Sequence, residues 1–465
     1  MLKLTRRALL SSGAHAVIGL GAGAYAGFSR AASFNDEILV YVFLRGGIDG
    51  CNVVVPLGKD HEYYTLMRPT LALPTSGTGA VLPLGNSGFG FNAAAAPLRD
   101  LYNSGHLAVV LAAGTPTSIA SRSHFDAEKY IELGTPGLVN TATGWLHRHF
   151  DAMANQLNQY PPSILLPILA LRSTPPASLL GNNAVLTVYS PESFRLDNAY
   201  WRWSREGAGQ PDQGYMQLEL LKDVYAAGSD SVTLAGRQAL TAEAILFDRY
   251  NPNYTGSGTI PYPADDNFAK NLRDIAQLIK LNLGLRIATA DYDGWDTHEG
   301  ENDGNYFNDQ VSSLSRSLAA FFDDINRTAG VADRVTVIVQ SEFGRRVYED
   351  FNRGTDHGNG NFMLALGKQV NGGKLYGVWP GLYPGEEWVN YANPKNGSFD
   401  PELFQGALNT TTDFRRALSD YLMTRYPYTA STLNYVFPGY SGFQTMGLFK
   451  ANAAPGDSLF SSGFE

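Results

Sequence analysis

The first clear pattern along the chain is a continuous apolar run, Ile38-Leu39-Val40-Tyr41-Val42-Phe43-Leu44, that stops at Arg45-Gly46-Gly47. A short run rich in β-branched and aromatic residues, with no polar alternation, predicts a strand buried on both faces, the habit of a parallel sheet. Similar runs occupy 107–111, 164–171, 184–189, 285–290, 335–340 and 362–366. Between several of them the apolar spacing becomes helical, at 125–133, 215–226, 232–249, 268–283, 308–328 and 411–426. Strands alternating with helices predict an α/β fold, a three-layer sandwich whose mostly parallel central sheet is flanked by helices. Segments 59–91 and 251–266, rich in Gly, Pro and Ser, read as ordered surface loops or lids. Residues 451–465 read as a flexible tail, which leaves one catalytic domain over 34–450.

Ahead of the first strand the pattern is of another kind. Thr5-Arg6-Arg7-Ala8-Leu9-Leu10 sets two arginines before a weakly apolar, Gly- and Ala-rich stretch at 14–28, and Ser29-Arg30-Ala31-Ala32-Ser33 follows with small residues. Basic region, apolar region and small-residue site are the layout of an export signal, here of the twin-arginine type, over 1–33. The apolar stretch falls short of the roughly 20 residues of a permanent membrane span. The expectation is therefore a bacterial protein handed folded to the twin-arginine translocase and released to the periplasm or beyond. Composition supports a folded chain: 44% of residues are hydrophobic and 12% aromatic. A net charge of −9 without a basic stripe argues against a nucleic-acid partner. Cys51 is the single cysteine, so no internal disulfide can form, and it reads as a packed residue.

In a parallel sheet, functional groups gather where strands give way to loops. Five such places carry polar clusters. The first strand runs into Arg45-Gly46-Gly47-Ile48-Asp49-Gly50, where Asp49 is placed to bind a ligand or to close a tight turn on its own backbone. After the second, Ser118-Ile119-Ala120-Ser121-Arg122-Ser123-His124-Phe125-Asp126 crosses from a hydroxyl-rich loop into a helix. A hydroxyl at a helix start is a candidate nucleophile beside an anion-binding N-terminus; Ser123 equally fits a simple cap paired with Asp126. The densest cluster is Asp291-Tyr292-Asp293-Gly294-Trp295-Asp296-Thr297-His298-Glu299. Carboxylate with imidazole suits zinc, manganese or iron, whereas calcium and magnesium prefer oxygen alone. Ser341-Glu342-Phe343-Gly344-Arg345 and Gly354-Thr355-Asp356-His357-Gly358 supply further candidates. Asp49, Asp296, His298, Glu342 and His357 thus form an expected ligand set reachable from one sheet edge. His61, His106, His147 and His149 lack carboxylate company in sequence and read as structural.

Taken in order, Leu44-Arg45-Gly46-Gly47-Ile48-Asp49-Gly50, Arg68-Pro69, Ser121-Arg122-Ser123-His124-Phe125-Asp126-Ala127, Gly144-Trp145-Leu146, Asp293-Gly294-Trp295-Asp296-Thr297-His298, Ser341-Glu342-Phe343-Gly344-Arg345 and Gly354-Thr355-Asp356-His357-Gly358 resemble the bacterial family of domain of unknown function 1501, across about 36–425. That family is similar in fold to the alkaline phosphatase and sulfatase superfamily. The resemblance implies a divalent metal (zinc, manganese, calcium or magnesium) at the strand ends, with Asp49 in the superfamily's first ligand role and Asp296 with His298 in another. Glu342 and His357 would complete the set, although Glu342 stands where Asp-His would be expected, which favours one metal, or one with a weakly held second, over two full sites. Ser118-Ile119-Ala120-Ser121-Arg122, with Gly134 further on, has the spacing of a serine-type sulfatase signature, and Ser123 is the alternative nucleophile. Arg122, His124 and Arg345 would bind and turn over the anion. The expected activity is metal-dependent hydrolysis of phosphate or sulfate esters, on a small-molecule or polymer substrate. The alternative is a catalytically silent, metal-stabilised binding or surface protein on the same fold. A plain serine esterase would need a Gly-x-Ser-x-Gly elbow, which the sequence lacks.

Overall fold

A computed structural model of the chain describes residues 37–156, 165–182, 185–194, 213–226, 228–382 and 406–451. The expected signal peptide and nearly all of the expected tail lie outside these residues. Among the described residues no helix is long and apolar enough to cross a membrane.

The strands are β1 (Ile38–Leu44), β2 (Val54–Pro56), β3 (Leu82–Pro83), β4 (Phe89–Phe91), β5 (Leu107–Gly114), β6 (Ile168–Ala170), β7 (Val185–Thr187), β8 (Ile287–Tyr292), β9 (Val335–Ser341), β10 (Asn361–Leu366), β11 (Leu375–Tyr376) and β12 (Thr412–Asp413). The helices are α1 (Lys59–Met67), α2 (Ala96–Asn103), α3 (His124–Leu133), α4 (Trp145–Gln156), α5 (Gln213–Ala226), α6 (Ser231–Arg249), α7 (Asn267–Lys280), α8 (Tyr306–Asn326), α9 (Phe414–Arg425) and α10 (Ala430–Val436). Among the described residues the main sheet runs β11-β5-β10-β9-β1-β8-β6-β7, with β12 also on β5. β1 lies at its centre and pairs in parallel with both β8 and β9. Its alternating side chains feed two cores. Ile38, Val40, Val42 and Leu44 pack with residues of α2, α7 and α8, while Leu39, Tyr41 and Phe43 pack with residues of α4, α9 and α10. The α/β sandwich expected from the apolar runs is therefore the fold, and the absence of polar alternation in β1 reflects burial on both faces.

One strand departs from the parallel pattern, and the departure matters. β10 is antiparallel to both β5 and β9. The segment 354–360, read from the sequence as one of five clusters on a parallel sheet, precedes β10. Because β10 runs backwards, its start lies at the same edge as the carboxyl ends of β1, β5, β8 and β9. Two segments differ from the sequence expectation. The stretch 59–91 is not all loop, since it holds α1 and, with β2, a small three-stranded sheet ordered β2-β4-β3. The expected helix from 411 begins three residues later, after β12 pairs with β5.

Candidate metal centre

At the carboxyl edge of the sheet, three loops bring imidazoles and one carboxylate to a common point. His124 opens α3; Asp296 and His298 follow β8; His357 precedes β10. Asp296 Oδ1 lies 3.0 Å from His357 Nε2 and 3.1 Å from His298 Nε2, and the two Nε2 atoms are 2.8 Å apart. His124 Nε2 is 3.4 Å from Asp296 Oδ2, and the His124 and His357 rings pack edge to face at 4.3 Å. His124, Asp296 and His357 are close enough to share one ion.

The far nitrogen of each ring meets an oxygen. His357 Nδ1 is 2.7 Å from the Arg122 carbonyl oxygen, which only accepts, so Nδ1 carries the proton and Nε2 keeps its lone pair. His124 Nδ1 is 2.8 Å from Glu342 Oε1, and His298 Nδ1 is 3.5 Å from Asp356 Oδ1. Held this way by Nδ1, His124 and His357 present Nε2 as ligands, the arrangement found behind metal-bound imidazoles, whereas His298 groups with Asp350 and Asp356. His124 Nε2 is buried with no hydrogen-bond partner. In the neutral rings, lone pairs on Nε2 face an ionised Asp296 across hydrogen-bond distance with few protons to share. Such a set of acceptors suits a cation, and the residues present fit a divalent metal.

The electrostatics agree. Burial opposes ionisation of Asp296, but the hydrogen bond and charge of Arg345 outweigh it and hold the carboxyl well below its usual range. Glu342 is buried yet is also held low, chiefly by the bond to His124, and by the Gly46 N–H at 2.8 Å and Ser341 Oγ at 2.9 Å. The same Glu342 bond raises His124, against burial. Burial lowers His357, keeping it neutral.

The remaining sequence candidates have other placements. Glu342 stands behind His124 instead of beside the common point. Asp49 is fully buried in a two-pronged ion pair with Arg68, one of whose contacts is 3.0 Å, and Arg68 also donates to the Val347 carbonyl at 2.6 Å. Arg345 is no exposed anion clamp. It is buried and donates to the carbonyls of Gly46, Gly47 (2.6 Å), Thr355 (2.7 Å) and Trp295 (3.2 Å), and to Asp296 Oδ1 (2.6 Å). It staples three loops and fixes the metal-facing carboxylate. Ser123 occupies the N-cap position of α3, but its side chain makes no cap hydrogen bond and is exposed, so the expected capping pair with Asp126 does not form. Ser118 is exposed on the turn Thr117–Ile119. Arg122 contributes its carbonyl to His357. Glu301 and Arg68 escaped the sequence reading as members of this network.

The loops approach closely where glycine permits. Gly46 has φ 117°, and a Cβ there would overlap the backbone of Trp295 and Asp296. Trp295 is buried edge-on against Tyr292 and Phe307, which fixes the loop root.

The fold and site together define an α/β sandwich with a histidine–carboxylate cluster at its carboxyl edge. Residues 240–392, which carry Asp296, His298, Glu342 and His357, match the family described as "Protein of unknown function (DUF1501)", so the resemblance read from the motifs holds over that stretch. Two solved structures share broad similarity. One is the alkaline phosphatase of the Antarctic bacterium TAB5, at 11% identity and TM-score 0.26, covering 74% of this chain and 95% of that one. The other is a sulfatase from Pseudoalteromonas sp., at 9% identity and TM-score 0.28, covering 73% and 64%. No curated protein matches in sequence.

Proposed function

We propose that this chain is an exported metal-dependent hydrolase of phosphate or sulfate esters, built around His124, Asp296, His298 and His357. The observation that carries the reading is the convergence of His124, Asp296 and His357, close enough to share one ion, with the two rings each backed by an oxygen at Nδ1. Two imidazole nitrogens and one carboxylate favour zinc, manganese or iron over calcium or magnesium. A divalent ion held there would polarise an ester oxygen and lower the pKa of water or of a serine hydroxyl. The chain's own residues do the rest. Glu342 and the Arg122 carbonyl hold the imidazole protons away from the reaction side. Arg345 keeps Asp296 ionised and aimed. Ser123, directly before His124 at the start of α3, places a hydroxyl where the leading N–H groups of the helix favour an anion. That position favours Ser123 over Ser118 as nucleophile.

Export on the twin-arginine signal suits such a site. A cluster assembled from residues 124, 296, 298 and 357 exists only after folding, and a folded-protein route lets metal loading precede translocation. The test is metal analysis of the purified protein, followed by assay on aryl phosphates and aryl sulfates with and without chelator. Chelator-sensitive turnover lost in His357→Ala and Ser123→Ala is the expected result. Stoichiometric metal with no turnover on either ester would favour the silent, metal-stabilised alternative.

A further inference from the structure

Glu301 lies three residues beyond His298 and is completely buried. Its Oε2 accepts hydrogen bonds from Thr297 Oγ1 at 2.9 Å and Thr355 Oγ1 at 3.0 Å. Its Oε1 accepts from Asn52 Nδ2 at 2.9 Å, and Asn52 is held in turn by the Tyr64 hydroxyl at 2.6 Å. Thr297 stands between Asp296 and His298; Thr355 is two residues before His357. The same two loops are joined through the backbone, Thr355 N–H to the Thr297 carbonyl at 3.0 Å and Glu301 N–H to the Arg353 carbonyl at 2.8 Å.

We infer that Glu301 is a positioning residue of the metal centre, whose carboxyl, through Thr297 and Thr355, sets the spacing between the loop bearing Asp296 and His298 and the loop bearing His357. The inference rests on the metal-centre reading above. A buried carboxyl costs several kcal/mol unless its oxygens are bonded, and here each oxygen has donors drawn from a different segment. Thr355 is clasped from both sides, its carbonyl by Arg345 and its hydroxyl by Glu301. Metal coordination tolerates distance errors of only about 0.2 Å, so a change in loop spacing too small to unfold the protein is enough to weaken binding. Glu301 also meets Asp49, which is tied up in the buried ion pair with Arg68, and its link to the loops bearing Asp296, His298 and His357 runs through the two threonines.

The test is titration of zinc into the chelator-stripped full chain against a competing chromophoric chelator, with thermal unfolding of each stripped variant measured alongside. Glu301→Ala and Thr355→Val are expected to weaken zinc binding by about 10- to 100-fold, as removal of supporting hydrogen bonds does elsewhere. Thr355→Ser, which keeps the hydroxyl, is expected to bind zinc like the wild type. Unchanged affinity in Glu301→Ala and Thr355→Val, or equal loss in Thr355→Val and Thr355→Ser, would overturn the inference. Should Glu301→Ala fail to fold, the Thr355 pair decides. A wild type that binds no zinc would instead overturn the metal-centre reading itself, and this inference with it.

Discussion

What stands on each ring nitrogen separates one histidine from another. His149 is buried, lies 2.8 Å through Nδ1 from the Tyr428 hydroxyl, and is pushed down to about 3 by burial. It is a neutral packing residue. His124 has an ionised Glu342 behind it and an unpartnered Nε2 in front. Glu342→Gln therefore replaces the carboxylate that orients His124, and zinc affinity is expected to fall about 10- to 100-fold in a competition titration. Asp49 makes the opposite case. Asp49→Ala should leave metal stoichiometry intact but strand Arg68 without its counter-charge, at about 3–5 kcal/mol of stability in denaturant unfolding. Loss of metal without loss of stability would return Asp49 to the ligand set. The sequence shows an acid between glycines at a strand exit. It does not show that Arg68, nineteen residues on, will fold over it. Asp296 and His298 were legible because they share one short loop; the tie between Glu342 and His124 spans 218 residues and was not.

Strand direction decides which loops meet. The apolar runs located the sheet, because residues buried on both faces leave an unbroken signature. They carried no information on the direction of β10, which is what brings His357 to the carboxyl edge. α1 went unread because its side chains lack a helical apolar stripe, and Tyr64 is its one buried residue. α4, which buries Trp145, Leu146 and Met153, went unread. Once the loops meet, their contact surface admits no side chain at Gly354, where a Cβ would overlap the His298 carbonyl. Gly354→Ala must push the two ligand loops apart. It is expected to cost about 1–3 kcal/mol of stability, the usual range for overpacking, together with weaker zinc binding. A variant with wild-type zinc affinity would show that the loops yield elsewhere.

For the molecule as a whole, the buried carboxyls set a pH dependence that can be separated from metal binding by working in chelator. Burial pushes Glu132 up to about 7, with Arg45 opposing, and burial with the neighbouring Asp49 pushes Glu301 up to about 8. Both ionise near 4.5 when the chain is unfolded. Between those values the folded protein binds more protons than the unfolded one, so stability falls as pH rises. His149, held neutral in the fold, acts with opposite sign: its contribution is lost as pH drops below about 6.5, the unfolded histidine value. The carboxyls held low, Asp296, Asp323, Asp324 and Glu342, lose their contribution only as pH falls through and below the ordinary carboxylate range. Below about 6.5 His149 therefore opposes the raised Glu132 and Glu301, while the carboxyls held low act with it as the pH falls further. Above it Glu132 and Glu301 act together with His124, whose raised value carries the same sign. The stripped protein is expected to lose about 2 kcal/mol between pH 6.5 and 8 from Glu301 alone, at about 1.4 kcal/mol per pH unit. Denaturant midpoints across that range measure it, and Glu301→Gln, which cannot ionise, should flatten the slope. An unchanged slope in Glu301→Gln would mean that Glu301 is already ionised in the fold, sharing the Arg68 charge with Asp49.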